Sequence, residues 1–193
     1  MIQLCFATTN RHKIEEIAHL IGDQFRIVSL QDIGCHDELP ETHDTIADNA
    51  FEKAGYVWEH FGVSCFADDS GLEVEALNGE PGVNTAFYAG PERNAEKNMD
   101  LLLRNLQDKP NRSACFRTCI ALIINGEKHL FEGIAPGAII EQQRGAGGFG
   151  YDPIFVPTGY DKTFAEMTME EKGRISHRSK AVQKLITFLQ NMA

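Results

Sequence analysis

Apolar residues in this chain come in short blocks separated by polar turns, and the spacing inside each block predicts its element. Residues 2–7 form a short apolar run suited to a buried strand. The run breaks at Thr8-Thr9-Asn10, all good helix caps, and Ile14, Ile17, Ala18 and Ile21 follow at helical spacing. A second strand is expected over 26–30. A helix is expected over about 45–61, with Ala47, Ala50, Ala54, Val57 and Phe61 as its buried stripe. Residues 63–67 read as another buried strand that ends in Asp68-Asp69-Ser70, with Gly71 supplying the turn that releases it. Residues 72–77 are again strand-like, and a helix over 92–106 turns Ala95, Met99, Leu102, Leu103 and Leu106 inward. A long strand over 113–124, the two-residue turn Asn125-Gly126 and a return over 128–133 make a hairpin. The chain closes on a helix with Ala181, Val182, Leu185, Ile186 and Leu189 inward and Ser176 as its N-cap. A strand–helix–strand start followed by an antiparallel hairpin defines an α/β protein with a mixed central sheet flanked by helices.

Composition narrows the class. At 193 residues and 42% hydrophobic content the chain can bury an ordinary core, as one domain over 1–193 or as two lobes sharing a core. A net charge of −10 argues against a nucleic-acid polymer or an anionic membrane as the main partner. It leaves room for a nucleotide whose charge is partly met by Mg²⁺, provided the basic residues are locally clustered. They are, twice: Arg11-His12-Lys13 follows the first caps, and residues 172–180 hold Lys172, Arg174, His177, Arg178 and Lys180. Both lie where a helix start offers free amides to an anion. The five cysteines include no C-x-x-C pair, so buried reduced thiols are expected rather than a zinc site or disulfides. No signal peptide or membrane span is read, and the expected location is the cytoplasm.

The chemistry gathers at Asp68-Asp69. Two adjacent carboxylates at a strand end are costly unless a cation, a basic partner or a shared proton meets them. Glu41 and Asp69 can hold Mg²⁺, whose other positions carry water and phosphate oxygens. Asp68, or Asp69 itself, can accept the proton of an attacking water. Lys13 and Lys53 can neutralise a polyphosphate, and the Thr8–Asn10 turn can offer it amides and hydroxyls. Asn49 lies four residues before Lys53, on a helix face other than the apolar stripe. The glycine-rich stretch 144–153 holds Phe149, Gly150, Tyr151 and Asp152, where two rings and an acid could sandwich a flat base. His177 and Arg178 supply donors that suit a 6-oxo purine and leave a 6-amino group facing another donor.

Four stretches carry a family resemblance: Thr8-Thr9-Asn10-Arg11-His12-Lys13, Ala67-Asp68-Asp69-Ser70-Gly71-Leu72, Gly147-Gly148-Phe149-Gly150-Tyr151-Asp152-Pro153 and Ser176-His177-Arg178. In order and spacing the chain resembles the inosine/xanthosine triphosphate pyrophosphatases of the Ham1/RdgB type over essentially its full length. The resemblance implies an ITPase-like fold of two lobes with the nucleotide in the cleft between them. It also implies hydrolysis of ITP, dITP and XTP to the monophosphate and pyrophosphate, Mg²⁺ as cofactor, and a homodimer. Thr8 to Lys13 would bind the triphosphate with help from Lys53, and Glu41 and Asp69 would serve the metal, Asp69 also as proton acceptor. Ser70, Phe149 to Asp152, Lys172, His177 and Arg178 would contact the nucleotide. Two positions depart from the family pattern: Thr9 stands where glycine is common, and Phe87 where many bacterial members carry arginine. The rival readings are a phosphohydrolase for other bases and a nucleotide-binding regulator without catalysis.

Overall fold

The computed structural model describes residues 3–21 and 25–192, so Ile2 of the first apolar run lies outside the described residues. Among the described residues, six strands form one sheet in the order β2-β1-β3-β4-β5-β6. They are β1 (Gln3–Phe6), β2 (Arg26–Val28), β3 (Cys65–Val74), β4 (Ser113–Ile124), β5 (Glu127–Ile139) and β6 (Phe155–Pro157). The helices are α1 (Arg11–Ile21), α2 (Ile46–Phe61), α3 (Ala95–Asn105), α4 (Met169–Gly173) and α5 (His177–Met192). The sheet is mixed, as expected: β1 is parallel to β2 and to β3, with Cys5 opposite Cys65, while β5 and β6 are antiparallel.

Local chemistry explains most boundaries. Asn10 accepts from the Lys13 amide and Thr45 from the Asp48 amide, so each caps the helix that follows. The third long helix starts later than expected, at Ala95, because Asn94 caps it by accepting from the Lys97 amide. Asn125 and Gly126 both have positive φ, 53° and 85°, which is what a two-residue hairpin turn of this hand requires. The return strand runs on to Ile139, beyond the 128–133 expected for it. The α1 stripe is narrower than the pattern suggested: Ile17 and Ile21 are buried, whereas Ile14 and Ala18 face solvent.

One expectation fails at the most important place. Gly71 makes no turn; β3 runs unbroken from Cys65 to Val74 and carries Asp68, Asp69 and Ser70 in its middle. Acids are tolerated there because cations from distant segments reach them, as described below, so the strand has no need to expel them to a turn.

The chain divides into two compact units, and the division falls within β3, β4 and β5. Unit 1 comprises 1–69, 118–133 and 178–193, and unit 2 comprises 70–117 and 134–177. The core of unit 1 packs Leu4, Phe6, Ile17 and Phe66 with Ile120, Leu122 and the apolar face of α5. Phe6 and Phe66 stack there at 4.6 Å. The core of unit 2 gathers Leu72, Met99, Leu102, Phe116, Tyr151, Phe155 and Phe164. All five cysteines are free thiols, four of them buried. No helix among the described residues is long and apolar enough to cross a membrane.

Candidate active site

In unit 1 the sites predicted from sequence meet around the middle of β3. Successive strand residues point to opposite faces, which separates the two neighbouring acids. Asp68 is fully buried, and both its oxygens lie 3.1 Å from Lys13 Nζ, which α1 supplies one turn after its cap. Arg178, from the first turn of α5 and only 1% exposed, donates from Nε to Asp68 Oδ2 at 3.3 Å and from Nη1 to Glu16 of α1. Burial opposes the Asp68 charge, but Lys13, Arg178 and Lys53 outweigh it and draw its pKa down to about 2. Asp68 is therefore a fixed anion.

Asp69 is in a different state. Burial pushes its pKa up; Lys53 and Lys13 oppose this, and Glu41 and Asp68 add to it. Of the two acids, it is the one poised to take up a proton. Lys53 is the hinge of this side. Its Nζ donates to Glu41 Oε1 at 2.5 Å and to the Asp68 carbonyl at 2.7 Å, and lies 3.6 Å from Asp69 Oδ1. Burial disfavours the Lys53 charge, yet Asp69, Glu41 and Asp68 together raise its pKa, so it stays an ammonium ion. Asn49 and Lys53 turn out to belong to the buried face of α2, beside Ala50, Ala54 and Val57, and not to a separate polar face. Among the residues of the first motif, Arg11 and His12 are exposed on the opening turn of α1 and Thr9 is exposed before it. The Asn10 amide donates to Thr8 Oγ1 at 3.2 Å.

Two carboxylates from separate segments, Glu41 and Asp69, thus converge on one ammonium group. Hard oxygen donors held where a single positive charge already sits suit a small divalent cation. Mg²⁺ typically takes only one or two protein carboxylates and fills its octahedron with water and phosphate oxygens. Two carboxylates are within that number, and no group of three or more metal-ligating side chains is found among the described residues.

In unit 2 the glycine-rich stretch is ordered around Asp152. Its Oδ2 accepts from the Phe149 amide at 3.0 Å and from Lys172 Nζ at 2.8 Å, and both charged groups are buried. A side chain at Gly148 would overlap that carboxylate, and Gly148 has φ +68°, so only glycine serves there without a shift. Lys172 Nζ lies over the Phe149 ring, 4.9 Å from its centroid, and 5.5 Å from that of Phe164. The expected sandwich of two rings is not formed. Tyr151 is a core residue, 3% exposed, whose hydroxyl donates to the Thr85 carbonyl at 2.7 Å, and burial raises its pKa. Gly150 takes φ +61° beside it. His177 is buried and stacks on Phe116 at 4.7 Å. Ser70 follows Asp69 on β3 and is half-buried, and Phe87 is exposed at the end of a 3-10 turn.

The structure therefore unites Lys13, Glu41, Lys53, Asp68, Asp69 and Arg178 in one unit, and Phe149, Asp152 and Lys172 in the other. Glu16 was missed by sequence reading. Its signal was its place three residues after Lys13, on the same face of α1. Asn49 and Glu52, which hold the stretch after Glu41, were also missed as functional supports.

A chain with this fold and this arrangement of acids and lysines can be compared with known proteins. The sequence profile of the Ham1 family matches residues 4–188, and the chain belongs to that family. It is 55% identical to a dITP/XTP pyrophosphatase of Flavobacterium psychrophilum, over 98% of this chain and 100% of that protein. The Staphylococcus aureus Ham1 protein superposes with a TM-score of 0.91 at 35% identity, covering 99% of this chain and 100% of that one. A Ham1 protein from Coxiella burnetii gives 0.92 at 34% identity, covering 99% and 100%.

Proposed function

We propose that this chain hydrolyses non-standard purine nucleoside triphosphates (dITP, ITP, XTP and dXTP) to the nucleoside monophosphate and pyrophosphate, cleansing the nucleotide pool. The observation that carries the reading is the unequal pair on β3. Asp68 is held ionised by Lys13 and Arg178, while its neighbour Asp69 is drawn toward the proton-accepting range. Asp69 takes the proton of the attacking water, and Asp68, ionised well below the ordinary carboxylate range, favours the charged form of the lysines beside it while it does so. Lys13 and Lys53 stabilise the charge that develops on the departing pyrophosphate. The turn of Thr8, Thr9 and Asn10, with Arg11 and His12 beside it, lies at the start of α1, whose positive dipole end favours phosphate oxygens.

Glu41 and Asp69 would hold Mg²⁺, which would supply charge compensation for the triphosphate. Phe149 offers the flat face for the base, with Lys172 and His177 as donors for a 6-oxo group and Asp152 as the acceptor that orients Lys172. Ser70, Gly150 and the backbone at Tyr151 complete the nucleotide contacts. Arg178 is read first as the clamp on Asp68, since its Nε and Nη1 are already occupied. The relatives' name, dITP/XTP pyrophosphatase, supports the substrate class. A cytoplasmic homodimer fits such a role.

The test is release of pyrophosphate and of orthophosphate, measured separately, from dITP, XTP, dUTP and ATP with Mg²⁺. Pyrophosphate from dITP and XTP, with little from dUTP or ATP, is expected. Equal turnover of ATP or dUTP would sink the substrate class. Binding of dITP without product would favour a regulator.

A further inference from the structure

We propose that Asn49 is a positioning residue for the Glu41 carboxylate, with Glu52 as its second anchor. The inference rests on the reading of Glu41 as a cation ligand. Glu41 lies in a stretch of irregular backbone before α2, where no helix or strand aims its side chain. Its Oε1 nevertheless reaches Lys53 Nζ at 2.5 Å. The two residues that follow it explain this. The Thr42 amide and hydroxyl each donate to one oxygen of Glu52, both at 2.7 Å. The His43 amide donates to Asn49 Oδ1 at 2.8 Å, and the His43 carbonyl accepts from Asn49 Nδ2 at 3.1 Å.

Asn49 thus treats the backbone of His43 as a neighbouring strand would, satisfying donor and acceptor with one amide. At 3% exposure, both of its polar ends are provided for by that backbone. Asn49, Glu52 and Lys53 all belong to α2. The helix that carries the lysine therefore also pins the loop that carries the glutamate. The place where Glu41 and Asp69 converge is set by one rigid element rather than by the loop. Groups hydrogen-bonded directly to a metal ligand typically change affinity or activity by about 10–100-fold when removed, and Asn49 acts on Glu41 one step further back, through the His43 backbone.

The experiment uses the full chain, with Glu41→Gln as reference and two charge-neutral variants, Asn49→Ala and Thr42→Val. Mn²⁺ is titrated by electron paramagnetic resonance in the presence of the α,β-methylene analogue of dITP, so no turnover enters the readout. The Mg²⁺ concentration for half-maximal pyrophosphate release and the thermal midpoint are measured alongside. Asn49→Ala should need about 10-fold more of either ion, the lower end of that range, and recover its kcat at saturating Mg²⁺, with Thr42→Val shifted less in the same direction. A lowered thermal midpoint with an unchanged ion requirement would overturn the proposal and leave Asn49 a structural residue. If Asn49→Ala does not fold, Asn49→Asp, which keeps the acceptor for the His43 amide and loses the donor to its carbonyl, decides on the same terms, with Thr42→Val reporting on the Glu52 anchor. If Glu41→Gln shifts the ion requirement and neither other variant does, only the positioning role fails. If Glu41→Gln itself binds Mn²⁺ like the wild type, the cation role of Glu41 fails and this proposal falls with it.

Discussion

The two charged clusters of this protein are built in contrasting ways. In unit 1, Lys13, Lys53, Arg178, Asp68, Asp69 and Glu16 all stand on helices or on β3, and each is tied to another by an ion pair. In unit 2, the central ion pair, Asp152–Lys172, is anchored to the backbone of a glycine-rich loop and flanked by the Phe149 and Phe164 rings. The first arrangement fixes charges at short range, as catalysis on a phosphoanhydride requires. The second holds a flat surface and one oriented donor, as recognition of a planar base requires. Regular elements carry the first cluster except for Glu41, which lies on irregular backbone before α2, whereas the second joins Lys172 of α4 to a loop with enforced backbone geometry.

The largest effect that would break this division is at Asp69. Asp69→Asn should lower kcat on dITP by about 10²–10⁴-fold with the fold intact, since it removes the proton acceptor. In the wild type the acidic limb of the kcat/KM profile should be displaced upward from that of an unperturbed aspartate, following the direction of the Asp69 shift. Unchanged turnover in the variant contradicts the role.

Next comes Arg178→Met, which leaves Asp68 and Glu16 short of a partner and should cost about 3–5 kcal/mol in denaturant unfolding. Its kcat/KM should fall alike for dITP and dATP. A selective gain on dATP would show instead that Arg178 reads the base, as sequence reasoning had it.

A smaller effect is pH-dependent. The folded pKa of Asp68 lies below its ordinary value, so its contribution is fully present above about pH 4 and is lost as pH falls toward 2. That contribution is on the order of 2 kcal/mol, and Asp68→Asn should flatten stability over this window. A wild type as stable at pH 2 as at pH 5 would contradict it.

Smallest in turnover is Gly148→Ala: its positive φ alone should cost about 1–2 kcal/mol, and its methyl must in addition displace the Asp152 carboxylate. Its kinetic sign should be a raised KM with kcat nearly kept. Equal loss in both would mean the loop also serves the chemistry.

Much of the fold was legible. The strand over 113–124, the Asn125-Gly126 turn and the apolar face of α5 follow from local pattern, and they stand as read. The course of β3 was not legible, because Asp68-Asp69-Ser70-Gly71 reads as a turn unless its partners are known. Lys13, Lys53 and Arg178 come from segments far apart in sequence, and only folding brings them to the strand. For the same reason Lys53 read as standing on a face of α2 apart from its apolar stripe, and the bonds of Arg178 to Asp68 and Glu16 were not foreseen. Tyr151 misled in the opposite sense: a ring among glycines suggested a stacking platform, but the ring is buried and Thr85 offers its hydroxyl a carbonyl acceptor.

The contrast between the clusters is tested most directly by one ratio, kcat/KM for dITP over kcat/KM for dATP, in Lys13→Met and Lys172→Met side by side. The account predicts that Lys13→Met loses activity on both nucleotides with the ratio kept, while Lys172→Met loses the ratio itself. A ratio that falls equally in both variants, or that survives in Lys172→Met, would contradict the assignment of chemistry to one cluster and base selection to the other.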